Sequence, residues 1–237
     1  MKSVPWHLRR NRPETLKYTA LNDGLYRYLM ECRSGGVDKV LEALRQETRK
    51  KFPDDAPMQI PRDQAAFMTL LVAVTSASSA IEVGTFTGLS SICIARGLPK
   101  KGKLLCLDIS EEWTDVAKKY WTKAGVAEKI ELRLGPAIDS LKKLPEKRTF
   151  DFAFIDAHKP EYDDYYELVL PRMKPNGLIL FDNMLAGGRL GGKKPPTHPN
   201  ARAVDKLNRK LSRDRRVQSV LLPIGDGVTI CRVLGRE

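Results

Sequence analysis

The chain has 237 residues, 42% of them hydrophobic and 30% charged, with a formal net charge of +12. That length supports one large α/β domain with little left for a second. The composition is that of an ordinary soluble globular protein. No membrane span is expected, because the longest apolar run, "FMTLLVAV" (67–74), is far too short to cross a bilayer.

Four scattered cysteines without a CxxC pair, and three scattered histidines, give no disulfide framework and no zinc cluster, so a reducing, cytoplasmic compartment is expected. The opening "MKSVPWHLRRNRPET" has no apolar segment of the secretory kind. Arg9, Arg10 and Arg12 hint at a transit peptide, against which Glu14 and Asp23 argue. The positive charge is uneven. Residues 1–57 carry 12 Lys/Arg against 8 Asp/Glu and residues 185–237 carry 12 against 4, while 58–184 has 17 of each. Such flanks suit an anionic substrate or RNA, and equally a solvated surface.

In chain order, "LNDGLYRYLMECR" and "VDKVLEALRQETRKKF" have apolar spacings of three and four and predict two helices separated by "SGG". Pro53, Pro57 and Pro61 mark a connection, so 1–57 reads as a helical extension and 58–237 as the main domain. "RDQAAFMTLLVAVTSA" predicts a helix with Phe67, Leu70, Leu71 and Val74 on one face. Strands and helices then alternate. Strands are expected at 80–84, 103–108, 129–135, 150–156 and 177–183, with helices at "LSSICIARGL", "EEWTDVAKKYWTKAG", "AIDSLKKL" and "YDDYYELVLPRM" between them. Near-continuous apolar strands separated by helices predict a doubly wound, Rossmann-like α/β fold with a mostly parallel sheet. "VQSVLLPI" and "VTICRV" flank "GDG" and predict a closing antiparallel hairpin. Before it, "AGGRLGGKKPPTHPN" (186–200) reads as a long basic loop, with Arg189, Lys193 and Lys194.

In such a sheet ligands bind beyond the carboxyl ends of the strands. The first strand ends "IEVGTFTGLSS", where Gly84 and Gly88 permit a tight turn and close approach of a ligand to the backbone. Glu82 is a carboxylate inside an apolar strand and requires a partner. Asp108 ends the second strand, where an acid commonly takes ribose hydroxyls. This set alone fits either NAD or S-adenosylmethionine. "FID" ends in Asp156 and "LFDN" in Asp182 and Asn183. Two carboxylates and an amide oxygen at one point suit a hard cation such as Mg²⁺. The same residues also read as a turn at 182–183 and a helix cap at 156.

Seven stretches, "MQIPRDQAAFM", "IEVGTFTGLSS", "LCLDIS", "LGPAID", "FIDAHKPEY", "LFDN" and "LPIGDGVTICRV", resemble in order and spacing the cation-dependent O-methyltransferases, the caffeoyl-CoA and catechol O-methyltransferase-like enzymes. The resemblance covers roughly residues 55–237. It implies S-adenosylmethionine held by Gln59, Glu82, Gly84, Thr85, Ser90, Asp108, Ala137 and Asp156, and a divalent cation (Mg²⁺, with Mn²⁺ or Ca²⁺ as alternatives) held by Asp156, Asp182 and Asn183. It implies Lys159 as catalytic base, a homodimer, and an N-terminal extension that covers the acceptor site or joins the dimer. The expected acceptor is a vicinal dihydroxy aromatic or its acyl-CoA ester. A metal stabilises the phenolate, a lysine in a partly desolvated site near a cation has its pKa lowered and can take the proton, and the rest is alignment.

Two departures stand out. Where the family commonly has D-A-D-K, this chain has Asp156-Ala157-His158-Lys159, and His158 is expected to be partly exposed rather than a ligand. Leu185 stands near the position where many members carry a Trp against the acceptor ring. A second expectation is methylation of a hydroxylated uridine in tRNA by the same fold, which the basic flanks suit but which no aromatic-interleaved basic motif supports.

Overall fold

The computed structural model describes residues 18–34, 36–192 and 194–235. The arginines of the opening segment and Lys193 of the basic loop lie outside the described residues. The chain divides into two compact units between Gly36 and Val37. In the first, helix α1 (Asp23–Glu31) is capped by Asn22, whose side chain accepts from the Leu25 N–H at 3.0 Å.

The second unit begins at Val37, ahead of the proline-marked connection, and includes α2 (Lys39–Lys51). Asp38 caps α2 by accepting from the Val40 and Leu41 N–H groups, and Leu44 is fully buried in the main core. Glu47 accepts from Lys119 and from the Tyr120 hydroxyl of α5, tying the two helices together.

The remaining elements are α3 (Arg62–Val74), β1 (Ser79–Val83), α4 (Leu89–Gly97), β2 (Lys103–Asp108), α5 (Glu111–Lys123), β3 (Ile130–Leu134), α6 (Ala137–Lys143), β4 (Phe150–Ile155), α7 (Tyr162–Val169), β5 (Met173–Phe181), α8 (Pro199–Leu211), β6 (Val217–Leu222) and β7 (Val228–Val233). The sheet order is β3-β2-β1-β4-β5-β7-β6, parallel except that β7 runs against both its neighbours. This is the expected doubly wound sheet with its antiparallel end. One face is covered by a cluster built on α2 to α5, the other by a cluster built on α6 to α8.

Helix α3 departs from expectation. Its buried positions are Gln64, Ala65, Met68 and Val72, while Leu70 and Val74 are 64% and 71% exposed. A run that is apolar nearly all round offers more than one face. The choice is made by α4, whose Gly97 comes so close that a Cβ there would lie 2.7 Å from the Thr69 carbonyl oxygen and from Val72.

The chain leaves β1 toward β2 and β3 and returns to β4 on the other side of β1, so the strand order reverses between β1 and β4. Ladder bonds continue past the strand ends: Gly135 N–H to Asp108 O, Gly84 N–H to Leu107 O, Asp156 N–H to Val83 O and Asp182 N–H to Ile155 O, at 2.8–3.1 Å. These bonds set Asp108, Gly84, Asp156 and Asp182 side by side along the carboxyl edge at the switch point, where α/β sheets bind ligands.

Candidate active site

The turn after β1 is shaped by its glycines. Gly84 has φ +89°, and a Cβ there would fall 2.2 Å from the Asp156 carbonyl oxygen, so no side chain fits between β1 and β4. Gly88 also has positive φ, but its missing side chain makes room for Ala117 and Trp121 of α5 rather than for a ligand. Between them Phe86, at φ +51°, lays its ring edge-on to Trp113 with 5.0 Å between centroids.

Asp108 braces this turn. One carboxylate oxygen accepts from the Thr85 and Phe86 N–H groups, both at 2.8 Å, and the other from the Ser110 N–H at 2.8 Å. Glu82 is fully buried, and one of its oxygens accepts from the Cys106 thiol at 3.3 Å across the β1–β2 ladder. Its other oxygen and the Thr85 hydroxyl, both buried, have no partner. Burial pushes the Glu82 carboxyl up to about 8, with Ser90, Cys106 and Thr85 pulling the other way. These orphaned groups at the glycine turn fit a bound molecule that carries an ammonium and hydroxyls.

Gln59 is tied to the neighbourhood of the turn through its amide nitrogen. Its amide N–H₂ donates to the Thr48 and Thr87 hydroxyls at 3.0 and 2.9 Å, and the two hydroxyls bond each other at 3.0 Å. This closed triangle joins α2 to the glycine turn. Ala137 opens α6, two residues beyond the Gly135 that ladders onto Asp108, and packs against the core on that face.

At the β4 and β5 ends, Lys159 Nζ donates to Asp156 at 2.7 Å, and both side chains are mostly buried. Asp182 is 3% exposed and accepts from the Asn183 N–H at 2.7 Å, while Asn183 itself is left-handed with φ +57°. Burial first, and then the negative charge of Asp156, push the Asp182 carboxyl up to about 8. Beneath them Tyr162 is fully buried. Its hydroxyl donates to the Asp182 carbonyl at 3.3 Å, and its pKa is driven well above the phenolic range by burial and by the two acids. Two carboxylates at neighbouring strand ends, one of them paired with an ammonium, plus an amide on the next residue, make an oxygen-rich donor set of the kind a hard cation takes. Among the described residues no group of three or more His, Cys, Asp or Glu side chains forms a metal cluster; the third donor of the expected set is an amide. His158 is 65% exposed and faces Glu161, as expected.

The segment after Asn183 is clamped to the β6–β7 hairpin. Met184 and Leu185 N–H groups donate to the Gly227 and Asp226 carbonyls, and the Asp226 carboxylate accepts from the Gly187 N–H at 2.8 and 2.9 Å. Sequence reasoning missed the Thr48–Thr87 pair, Tyr162, the clamp at Asp226 and Gln64. Asp226 sat inside a turn signal, and a Thr in an amphipathic helix carries no signal at all.

A mostly parallel seven-stranded sheet with a reversed penultimate strand, a glycine turn after β1 and an acid at the end of β2 defines an S-adenosylmethionine-dependent methyltransferase fold. TomG from Streptomyces achromogenes, an O-methyltransferase of tomaymycin synthesis solved with S-adenosylmethionine, superposes with a TM-score of 0.78 at 27% identity, over 90% of this chain and 96% of TomG. The O-methyltransferase family model matches residues 31–234, and the chain belongs to that family. The Dictyostelium discoideum protein named probable caffeoyl-CoA O-methyltransferase 2 is 43% identical over 171 residues, 71% of this chain and 74% of its own length. Caffeoyl-CoA O-methyltransferase 5 of Nicotiana tabacum is 34% identical over 224 residues, 89% of this chain and 91% of its own length. The protein is an S-adenosylmethionine-dependent O-methyltransferase. No helix among the described residues is long and apolar enough to cross a membrane.

Proposed function

We propose that the enzyme methylates one hydroxyl of a vicinal dihydroxy aromatic, free or as its acyl-CoA ester, at a divalent cation held by Asp156, Asp182 and Asn183. The observation that carries this reading is the pairing of two mostly buried carboxylates from neighbouring strands, one bearing Lys159, at the switch point. The caffeoyl-CoA names of two relatives support the acceptor class.

When bound, S-adenosylmethionine supplies an activated methyl, and the cation lowers the phenol's pKa and fixes its oxygens. The chain does the rest. Gly84, whose missing side chain seats the turn against the Asp156 backbone, would offer its own backbone to the cofactor, Glu82 and Thr85 would offer their unpaired oxygens to its amino-acid end with Ser90 beside them, and Asp108 would keep lone pairs for a ribose hydroxyl. Ala137 would stand at the adenine. Gln59 contributes indirectly, through Thr87. Lys159, in contact with Asp156, takes the phenolic proton from a hydroxyl held there. Because the methyl is already activated, catalysis is chiefly alignment of oxygen with carbon. The reading carries with it a homodimer and a cytoplasmic location, with the N-terminal extension as acceptor cover or dimer contact.

The test is methyl transfer to a panel of catechols, catechol acids and their CoA esters, followed by mass, with and without EDTA. Product that vanishes with EDTA and returns with Mg²⁺ is expected. Product that survives EDTA would overturn the metal role. Silence across the panel with S-adenosylmethionine still bound would overturn the acceptor class and turn attention to hydroxylated uridine in tRNA, whose binding should weaken steeply with salt.

A further inference from the structure

The chain leaves β5 through a corner that is left-handed at Asn183 and again at Ala186, with φ +57° and +52°. Residues other than glycine hold that conformation where their surroundings fix it. Here the fixing can be followed bond by bond, because all eight backbone polar groups from Asp182 to Leu185 are paired. The Asp182 N–H reaches the Ile155 carbonyl at 3.1 Å, and the Asn183 N–H the Asp182 carboxylate at 2.7 Å. The Met184 and Leu185 N–H groups donate to the β6–β7 hairpin at 2.9 and 2.8 Å, and the Asn183 and Leu185 carbonyls accept from Ala186 and Gly188, both at 3.0 Å. The two remaining carbonyls are taken by side chains from elsewhere in the fold. The Tyr162 hydroxyl donates to Asp182 at 3.3 Å and the Asn208 amide to Met184 at 2.9 Å.

Tyr162 also lies beneath Lys159, whose Nζ is 5.0 Å from the ring centroid, so its loss would disturb several groups at once. Asn208 reaches the corner by one bond. It belongs to α8, an amphipathic helix whose buried Val204, Leu207 and Leu211 put position 208 at the edge of the apolar stripe, where packing alone asks for an apolar side chain. Its amide instead bridges three elements. Nδ2 donates to the Met184 carbonyl, while Oδ1 accepts from the Thr229 hydroxyl at 3.3 Å. Thr229 is buried on β7 opposite Phe181, the last residue of β5. The Met184 N–H belongs to the peptide after Asn183 and the Met184 carbonyl to the next one, so both peptides flanking Met184 are tethered. Asn183 cannot leave its left-handed conformation without pulling on these bonds.

We propose that Asn208 is a positioning residue for the acceptor half of the site: by holding the Met184 carbonyl it keeps Asn183 left-handed, and so keeps the Asp182–Asn183 pair in place beside Asp156. The inference rests on the reading of Asp182 and Asn183 as cation ligands given above. It parts from a plain packing role because the two bonds of the amide can be cut separately. At neutral pH Asn208→Asp keeps an oxygen for Thr229 but has no N–H for Met184. Thr229→Val cuts the other bond and leaves the Met184 bond standing. Each variant loses one hydrogen bond of the same amide, and only the first loses the one that holds the corner.

The test is direct Mn²⁺ binding, by calorimetry or by the electron spin resonance of free Mn²⁺, with S-adenosylmethionine affinity and the melting temperature measured alongside. The proteins are the wild type, Asn208→Asp, Asn208→Ala, Thr229→Val and Asp182→Ala. Asn208→Asp should bind Mn²⁺ about tenfold more weakly, the lower end of what is lost with a group that orients a metal ligand. Its added negative charge would by itself attract the cation, so charge does not account for such a loss. Asn208→Ala, which adds no charge, should show a loss of the same order. Thr229→Val should melt lower but bind Mn²⁺ as the wild type does, and all three should hold S-adenosylmethionine unchanged. Wild-type Mn²⁺ affinity in both Asn208 variants, with binding lost in Asp182→Ala, would overturn the role of Asn208 and leave the cation site standing. Wild-type affinity in Asp182→Ala as well would remove the cation site itself, and the inference with it. Equal weakening in Thr229→Val, or weakened S-adenosylmethionine binding in the Asn208 variants, would also overturn it, in favour of a packing role for α8.

Discussion

At the β1 and β2 ends of the sheet the side chains serve the backbone. Asp108 accepts from three N–H groups, the Thr48–Gln59–Thr87 triangle closes on itself, and Gly84 and Gly88 exist to let neighbours approach. At the β4 and β5 ends the polar groups face one another instead. Asp156 and Asp182 repel, a single lysine answers them, and Gln64 answers nothing. The first half is a finished mould for a molecule of fixed shape, and its exceptions, Glu82 and Thr85, sit where that molecule's own polar atoms are expected. The second half is completed by what enters it. Under the proposed function the satisfied half takes the cofactor and the unsatisfied half the acceptor.

The comparison predicts lesions of different kind on its two sides. The largest effect belongs to the acceptor half. Lys159→Met should lower kcat by roughly 10²–10⁴-fold, the range of a positioned general base, with S-adenosylmethionine affinity nearly unchanged by calorimetry. A loss confined to cofactor affinity would dissolve the division between the halves.

The next effect belongs to Glu82. Its carboxyl stays protonated in the folded protein up to about 8 but ionises in the unfolded chain near the ordinary 4.5. Between those values the folded state binds more protons, so stability falls as pH rises, by up to ~3–5 kcal/mol across the window. The melting temperature of the protein without cofactor should therefore drop between pH 5 and pH 8 relative to Glu82→Gln, in which this contribution is absent. Parallel melting curves for the two proteins would mean that Glu82 is solvated, and the cofactor half less closed than described.

Much of this was legible in the sequence, for physical reasons that also mark where legibility ends. Parallel strands buried on both faces leave apolar runs with little alternation, and the runs here end in a glycine or an acid: Gly84, Asp108, Asp156, Asp182. Strand β5 begins at Met173, four residues before its expected start, because Lys174 to Asn176 look like a turn and extend the strand past its apolar stretch. Pattern cannot rank the apolar faces of α3 when the partner helix is unknown: Phe67 and Leu71 pack against the core, while Leu70 and Val74 turn outward as Gly97 brings α4 against Val72. The motif around Gln59 gives no sign of the two threonines that take its amide hydrogens, because no spacing rule links them. Gln64 lay in the same motif unnoticed, since a glutamine at the start of a helix gives no hint of burial until the hairpin folds over it.

The triangle offers the finest test of the comparison. Thr48→Val keeps shape and volume but removes the hydroxyl that donates to Thr87 and accepts from Gln59, leaving that amide with a single acceptor of the two. Two hydrogen bonds are lost, at about 1 kcal/mol each, or roughly 4–8 °C in melting temperature together for a domain of this size. If the triangle is part of the mould, the loosened turn at Thr85 to Thr87 should also raise the S-adenosylmethionine Kd a few-fold, while Mn²⁺ affinity at the other half stays as in the wild type. A fall in melting temperature with cofactor affinity intact would make α2 a plain structural brace. A fall in Mn²⁺ affinity would mean that strain at the β1 end reaches Asp156 through Gly84, whose Cα lies against the Asp156 carbonyl, and that the two halves act as one site.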